Sequence, residues 1–138
     1  MRYKRQIIAV LGVAITLVAC GGGSANDTLE LGNPELGREI FEDRDRVRCV
    51  ECHTLDGSIL VGPSLQGISE RAGDRVPELI AVEYLRQSIL DPSAYIVEGF
   101  DDKMETFELV QSETVDNLVL SMLTQEELSD LVAFLLTQ

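Results

Sequence analysis

Cys49-Val50-Glu51-Cys52-His53 places two thiols three positions apart and the only histidine of the chain directly after them. That C-x-x-C-H spacing suits covalent haem attachment. Two thiols at this separation can add across the two vinyl groups of adjacent pyrrole rings. The next residue then projects toward the iron, and neutral imidazole is a good ligand to iron in either oxidation state. Other chemistries fit less well. A zinc site needs four ligands, and beyond this trio the chain has no histidine and only one further cysteine, Cys20. A thioredoxin-like redox pair needs a βαβ setting, which the hydrophobic pattern does not provide. A short disulfide would leave His53 without a role.

The third cysteine has a different context. Arg2, Lys4 and Arg5 precede an uncharged, mostly apolar run from Ile7 to Ala19. A spanning helix needs about 20 apolar residues, so this run is short for a membrane crossing and reads as a secretory signal. Leu17-Val18-Ala19-Cys20 resembles the bacterial lipobox, after which cleavage leaves Cys20 as a lipidated first residue. Residues 1–19 are therefore expected to be a lipoprotein signal peptide. Residues 20–32, rich in Gly, Ser and Asn, are expected to be a flexible tether, and 33–138 one folded domain. The tether spans roughly 20 Å when flexible and about 45–50 Å when extended. More than one acyl chain gives stable anchoring. The expected location is the outer, periplasmic face of the bacterial cytoplasmic membrane.

After residue 19 the chain keeps 8 Lys and Arg against all 24 Asp and Glu. From Gln87 to Gln138 there are 11 acids and one base, Lys103. Such a surface repels nucleic acid and favours a partner with a basic docking patch.

The elements that must position the motif are mostly helical. Asn33-Pro34 with Glu35 opens a first helix, N-cap then proline at the first helical position, with Leu36, Ile40 and Phe41 as its apolar face. A second helix is expected from Val76 or Pro77 to Leu90, with Leu79, Ile80, Tyr84, Leu85 and Ile89 buried, stopped by Asp91-Pro92. Thr124 with Glu127 forms a capping box, Leu123 with Leu128 a hydrophobic staple, and Leu128, Leu131, Val132 and Leu135 line one face of a last helix. Phe107–Val110 and Val115–Leu120 are candidates for short extended pieces. The expected class is all-α, with one covalent haem c filling an otherwise small core.

Over roughly Asn33 to Gln138 the chain resembles the class I cytochrome c family. Gly37 and Phe41 resemble the pair that packs against the C-terminal helix, here Leu131 and Phe134. Gly62-Pro63-Ser64-Leu65 resembles the family's Gly-Pro-x-Leu segment, in which the proline carbonyl accepts the proximal histidine's Nδ1–H. Arg71, eight after Pro63, sits where the family often places an arginine near a haem propionate. Tyr84 to Tyr95 resembles the helix and loop leading to a methionine ligand. The resemblance implies covalent haem c on Cys49 and Cys52, contacts from Pro63, Arg71 and Tyr95, and iron ligation by His53 and Met104. Met122, beside the last helix, is the alternative ligand. Met104 lacks the proline that commonly follows it in the family, and about 18 residues separate it from Leu123.

The implied function is one-electron transfer, as a tethered shuttle or as a subunit of a membrane redox complex. The chain is similar to the single-haem lipoprotein subunits of assemblies such as the bacterial alternative complex III. A haem-based ligand sensor or gas-binding protein is the alternative if the sixth position is open. A peroxidase-like enzyme is disfavoured, because the chain has no second histidine and no evident acid–base pair around the haem.

Overall fold

The structure, a computed structural model, describes residues 32–111 and 121–138. The signal peptide, Cys20 and nearly all of the expected tether lie outside the described residues, as does the Val115–Leu120 segment. Among the described residues no helix is long and apolar enough to cross a membrane.

Helix α1 spans Pro34–Glu42. Its start is as expected: Asn33 Oδ1 accepts the Glu35 N–H at 2.9 Å and Pro34 fills the first helical position. Its buried residues are Gly37 and Phe41, whereas Leu36, expected on the apolar face, is exposed. A short helix α2, Cys49–Cys52, carries the attachment motif. A single turn, α3, covers Ile68–Arg71 and runs into a 3₁₀ turn at Ala72–Asp74.

Helix α4 covers Ala81–Leu90. It begins later than Pro77, because residues 76–79 close a turn (Leu79 N–H to the Val76 carbonyl, 3.0 Å) and the Glu83 carboxylate caps the Ile80 N–H at 3.1 Å. Ile80 thus sits at the cap and is exposed, contrary to the expectation that it is buried. Asp91-Pro92 ends α4, as expected, and a 3₁₀ turn at Pro92–Ala94 follows.

Helix α5 spans Gln125–Leu135 and opens with the expected reciprocal cap. Thr124 Oγ1 accepts the Glu127 N–H at 3.1 Å, and Glu127 Oε2 accepts the Thr124 N–H at 2.8 Å. Leu123 and Leu128, either side of this cap, are fully buried. Thr124→Ala removes one acceptor and is expected to cost about 1 kcal/mol. For a domain of this size that lowers the thermal midpoint by roughly 4–8 °C, measurable by circular dichroism melting.

The fold departs from a purely helical one at two three-residue strands. β1, Glu108–Val110, pairs in parallel with β2, Met122–Thr124, in the register Glu108–Met122, Leu109–Leu123, Val110–Thr124. The backbone before α5 finds its hydrogen-bond partners there instead of in a helix.

The core centres on the packing of α1 against α5. Gly37 brings the two backbones together: a Cβ there would lie 2.8 Å from Phe134 Cβ and would overlap the Asp130 carbonyl oxygen. Phe41 and Phe134 stack at a tilt, ring centroids 5.5 Å apart, and the Arg38 guanidinium covers the Phe134 ring at 5.5 Å. Asp130 is buried, and its carboxylate accepts the Asn33 N–H at 2.6 Å, fastening the start of α1 to α5. Tyr84, Leu85 and Ile89 of α4 complete the core with Ile68, Ala72 and Phe107.

Candidate haem-binding site

The loop before α2 fixes where the motif sits. Asp43 Oδ1 accepts the N–H groups of Asp45 and Arg46, and the Asp43 carbonyl accepts the Arg48 N–H at 2.7 Å. Arg48 adopts a left-handed conformation (φ 56°) to turn the chain into α2. Arg46 then reaches across the fold: its guanidinium donates to the Met122 carbonyl at 3.0 Å and pairs with the Glu127 carboxylate at 2.5 Å.

Cys49 and Cys52 are free thiols, one helical turn apart. Burial pushes the Cys49 thiol up to about 11, so the sulfur is held as neutral S–H. His53 leaves the helix in extended conformation, and its N–H bonds the Cys49 carbonyl at 2.9 Å. The imidazole Nδ1 lies 2.9 Å from the Pro63 carbonyl oxygen. A carbonyl only accepts, so Nδ1 carries the proton and Nε2 keeps its lone pair. Burial pushes the imidazolium down from its ordinary value, which the Pro63 carbonyl partly opposes. The ring is therefore held neutral and in one tautomer, the state a metal ligand requires.

The segment that supplies the Pro63 carbonyl is itself pinned. Gly62 N–H bonds the Cys52 carbonyl at 2.9 Å and Leu65 N–H bonds the Thr54 carbonyl at 2.7 Å. Arg71 grips the same segment, Nη2 to the Ser64 carbonyl at 2.7 Å and Nη1 to the Gln66 carbonyl at 2.5 Å.

These residues surround a cavity of about 270 Å³. Cys49, Cys52, His53, Pro63, Arg71, Tyr95 and Met104 all line it. Phe41, Leu85, Ile89, Phe107, Leu131 and Leu135 supply apolar walls from four parts of the chain. Met122 is not among the lining residues; it lies on β2, paired with Glu108. The segment carrying Met104 is held by Ser93 Oγ donating to Asp102 Oδ1 at 3.0 Å, by Phe107 N–H donating to the Ile89 carbonyl at 3.3 Å, and by Ser121 Oγ donating to Glu105 at 2.9 Å.

Phe107 and Arg75 are among the lining residues that the sequence does not single out as site residues. In the sequence Phe107 is only the start of a candidate extended piece. Arg75 follows Arg71 by four positions, the helical spacing that puts both on one side of the α3 turn, and that spacing was the available signal. Among the described residues, no three His, Cys, Asp or Glu side chains gather as a metal site of their own.

A family model described as cytochrome c matches residues 34–138. The chain belongs to the cytochrome c family. A search of curated proteins finds no significant match. The family carries electrons on covalently attached haem c, typically as a carrier rather than an enzyme. The residues present in this cytochrome fit that group: a paired thiol set, a neutral imidazole with one nitrogen committed to a carbonyl, and a largely apolar cavity. Arg75 also lines the cavity, and its buried Nε has no hydrogen-bond partner among the described residues.

Proposed function

We propose that this protein is a single-haem, lipid-tethered cytochrome c that transfers one electron at a time at the outer face of a bacterial cytoplasmic membrane, with His53 and Met104 as the iron ligands. The observation that carries the reading is the 2.9 Å contact between His53 Nδ1 and the Pro63 carbonyl oxygen. The ring's Nδ1–H is committed to the Pro63 carbonyl, which frees Nε2 for iron. Bound haem supplies reversible one-electron chemistry at its iron.

The chain's own residues do the rest. Cys49 and Cys52 would hold the haem as thioethers, each S–H adding across a vinyl double bond, sulfur to one carbon and hydrogen to the other. His53 would ligate through Nε2. Met104 lines the same cavity, and its thioether would be the second protein ligand to the iron, which would favour the reduced state relative to a second imidazole.

Ile59, Leu60 and Val61 are exposed at 70, 49 and 53%, and Val61 lines the cavity. Asp101, Asp102 and Glu105 line it as well. Exposed apolar side chains and acids on one cavity's lining suit a redox partner whose docking face is apolar at its centre and basic at its rim. The lipobox-like Leu17–Cys20 segment supports the tether. The partner is a membrane redox complex or another cytochrome, of the kind served by single-haem lipoprotein subunits.

Visible spectra of the purified oxidised protein test the ligand assignment. The parent is expected to show the far-red methionine–iron band, Met104→Ala to lose it, and Met122→Ala to keep it. Loss of the band in Met122→Ala alone, or its absence from the parent, overturns the assignment.

A further inference from the structure

We infer that Arg46 is a positioning residue for Met104: its guanidinium locks the β1–β2 ladder to the attachment turn, and the ladder holds the Met104 segment against the cavity. The inference rests on the haem reading above, in which Met104 is an iron ligand. It extends that reading to a side chain that does not itself line the cavity.

The cavity is lined from stretches far apart in sequence, Cys49, Cys52 and His53 from one and Lys103, Met104 and Glu105 from another. Met104 lies in neither helix nor strand and is 37% exposed. Its place therefore depends on what holds the residues on either side. On the C-terminal side the chain runs into β1, where Glu108 and Leu109 are both exposed. The Glu108 N–H donates to the Ser121 carbonyl at 2.9 Å, and Ser121 Oγ donates to Glu105, the neighbour of Met104. β2 is different, with Leu123 and Thr124 buried. A two-stranded ladder is marginal by itself, so its position is set by what fixes β2.

Arg46 supplies that hold. Nη1 donates to the Met122 carbonyl on β2 at 3.0 Å, and Nη2 pairs with Glu127 Oε1 at 2.5 Å. Glu127 Oε2 accepts the Thr124 N–H, also on β2, at 2.8 Å. The two charged side chains are only 19 and 22% exposed, so water and salt screen them less than a surface pair. The backbone of Arg46 is fixed in turn. Asp43 Oδ1 accepts its N–H at 3.0 Å, and Val47 beside it is buried. Cys49 follows three residues later. One guanidinium thus sets the spacing between the stretch that carries His53 and the stretch that carries Met104. Without it the ladder loses its fixed edge and the thioether leaves its place more often, with the cavity lining unchanged.

The test is titration of the oxidised, haem-bearing protein with imidazole, a small ligand that competes with Met104. Its apparent affinity scales with the fraction of molecules in which the thioether is displaced. Met104→Ala sets the upper limit. Arg46→Gln is expected to raise the affinity roughly tenfold over the parent, as is Glu127→Gln, which keeps an acceptor for the α5 cap but loses the ion pair. In a Met104→Ala background the same substitutions are expected to add nothing, because their effect runs through that side chain. Asn33→Ala uncaps α1 without touching the ladder. It lowers the melting temperature and leaves the imidazole affinity on that of the parent.

Each variant is checked for covalent haem in denaturing gels. If Arg46→Gln does not accumulate with haem, Glu127→Gln decides. Affinities within about twofold of the parent in the variants that carry haem overturn the inference and leave the ligand assignment standing. So does an equal gain in the Met104→Ala background or in Asn33→Ala. Parent affinity in Met104→Ala overturns the ligand assignment instead.

Discussion

Gly62→Ala is expected to break the orientation of the His53 ring while leaving the haem attached. A Cβ at residue 62 would stand 2.5 Å from His53 Cε1, 2.8 Å from Nδ1 and 3.0 Å from Nε2. The loop cannot back away cheaply. The Gly62 N–H is bonded to the Cys52 carbonyl, and Leu65 N–H to the Thr54 carbonyl. Arg71 holds the carbonyls of Ser64 and Gln66. The imidazole must tilt, which breaks the Nδ1–H bond to Pro63 and turns the Nε2 lone pair off its axis. Loss of such an outer contact typically weakens a metal bond by about 10–100-fold. The variant is expected to retain haem in denaturing gels, since Cys49 and Cys52 are untouched. Its oxidised visible spectrum should shift toward the high-spin form. A fully low-spin, parent-like spectrum would show that the ring does not depend on that gap.

Gly37→Ala strikes the other point where a side chain has no room. The added methyl would overlap the Asp130 carbonyl oxygen and stand 2.8 Å from Phe134 Cβ. Backbone, not a flexible side-chain tip, lies in the way. Asp130 is further anchored by its carboxylate to the Asn33 N–H at 2.6 Å, so α5 cannot slide without releasing the start of α1. Separating the helices would also loosen the Phe41–Phe134 stack. Overpacking of this kind costs about 3 kcal/mol or more when the obstacle is rigid. For a domain of about 100 residues the thermal midpoint should fall by roughly 12–24 °C. Circular dichroism melting of the haem-bearing protein checks it. A fall of less than about 4 °C, the effect of roughly 1 kcal/mol, would mean that α1 and α5 can re-seat.

Much of this was legible before the structure. The caps of α1 and α5 are local: Asn33-Pro34 and Thr124…Glu127 satisfy donors within one turn, and no distant contact needs to agree. The stop at Asp91-Pro92 is equally local. The pairing of Gly37 and Phe41 with Phe134 came from family resemblance, and the close approach in the structure supplies its physical reason. The failures arose where tertiary context decides. The pattern placed Leu36 and Ile80 on buried faces, but α1 presents only a narrow face to α5, and Ile80 ends up at a cap. The parallel pairing of β1 with β2 could not be read, because strand partners 14 residues apart are chosen by register and not by composition. At the site, the C-x-x-C-H spacing named the chemistry, whereas the role of Arg71 depends on which carbonyls lie within its reach. Two arginines four apart look alike in sequence. Only the fold gives Arg71 a pair of backbone acceptors and leaves the buried Nε of Arg75 without a partner among the described residues.

The Glu127 carboxylate accepts from the first backbone donor of the α5 cap and also from Arg46, whose guanidinium reaches the β2 carbonyl of Met122. One anion therefore joins the strand, the terminal helix and the turn that leads into Cys49. Regions sharing such a knot open together rather than piecemeal. Amide protons in the 43–48 turn and in the opening turn of the C-terminal helix should then exchange with solvent as a single cooperative unit. The far end of the polypeptide thereby becomes a reporter of whether the attachment turn is in place.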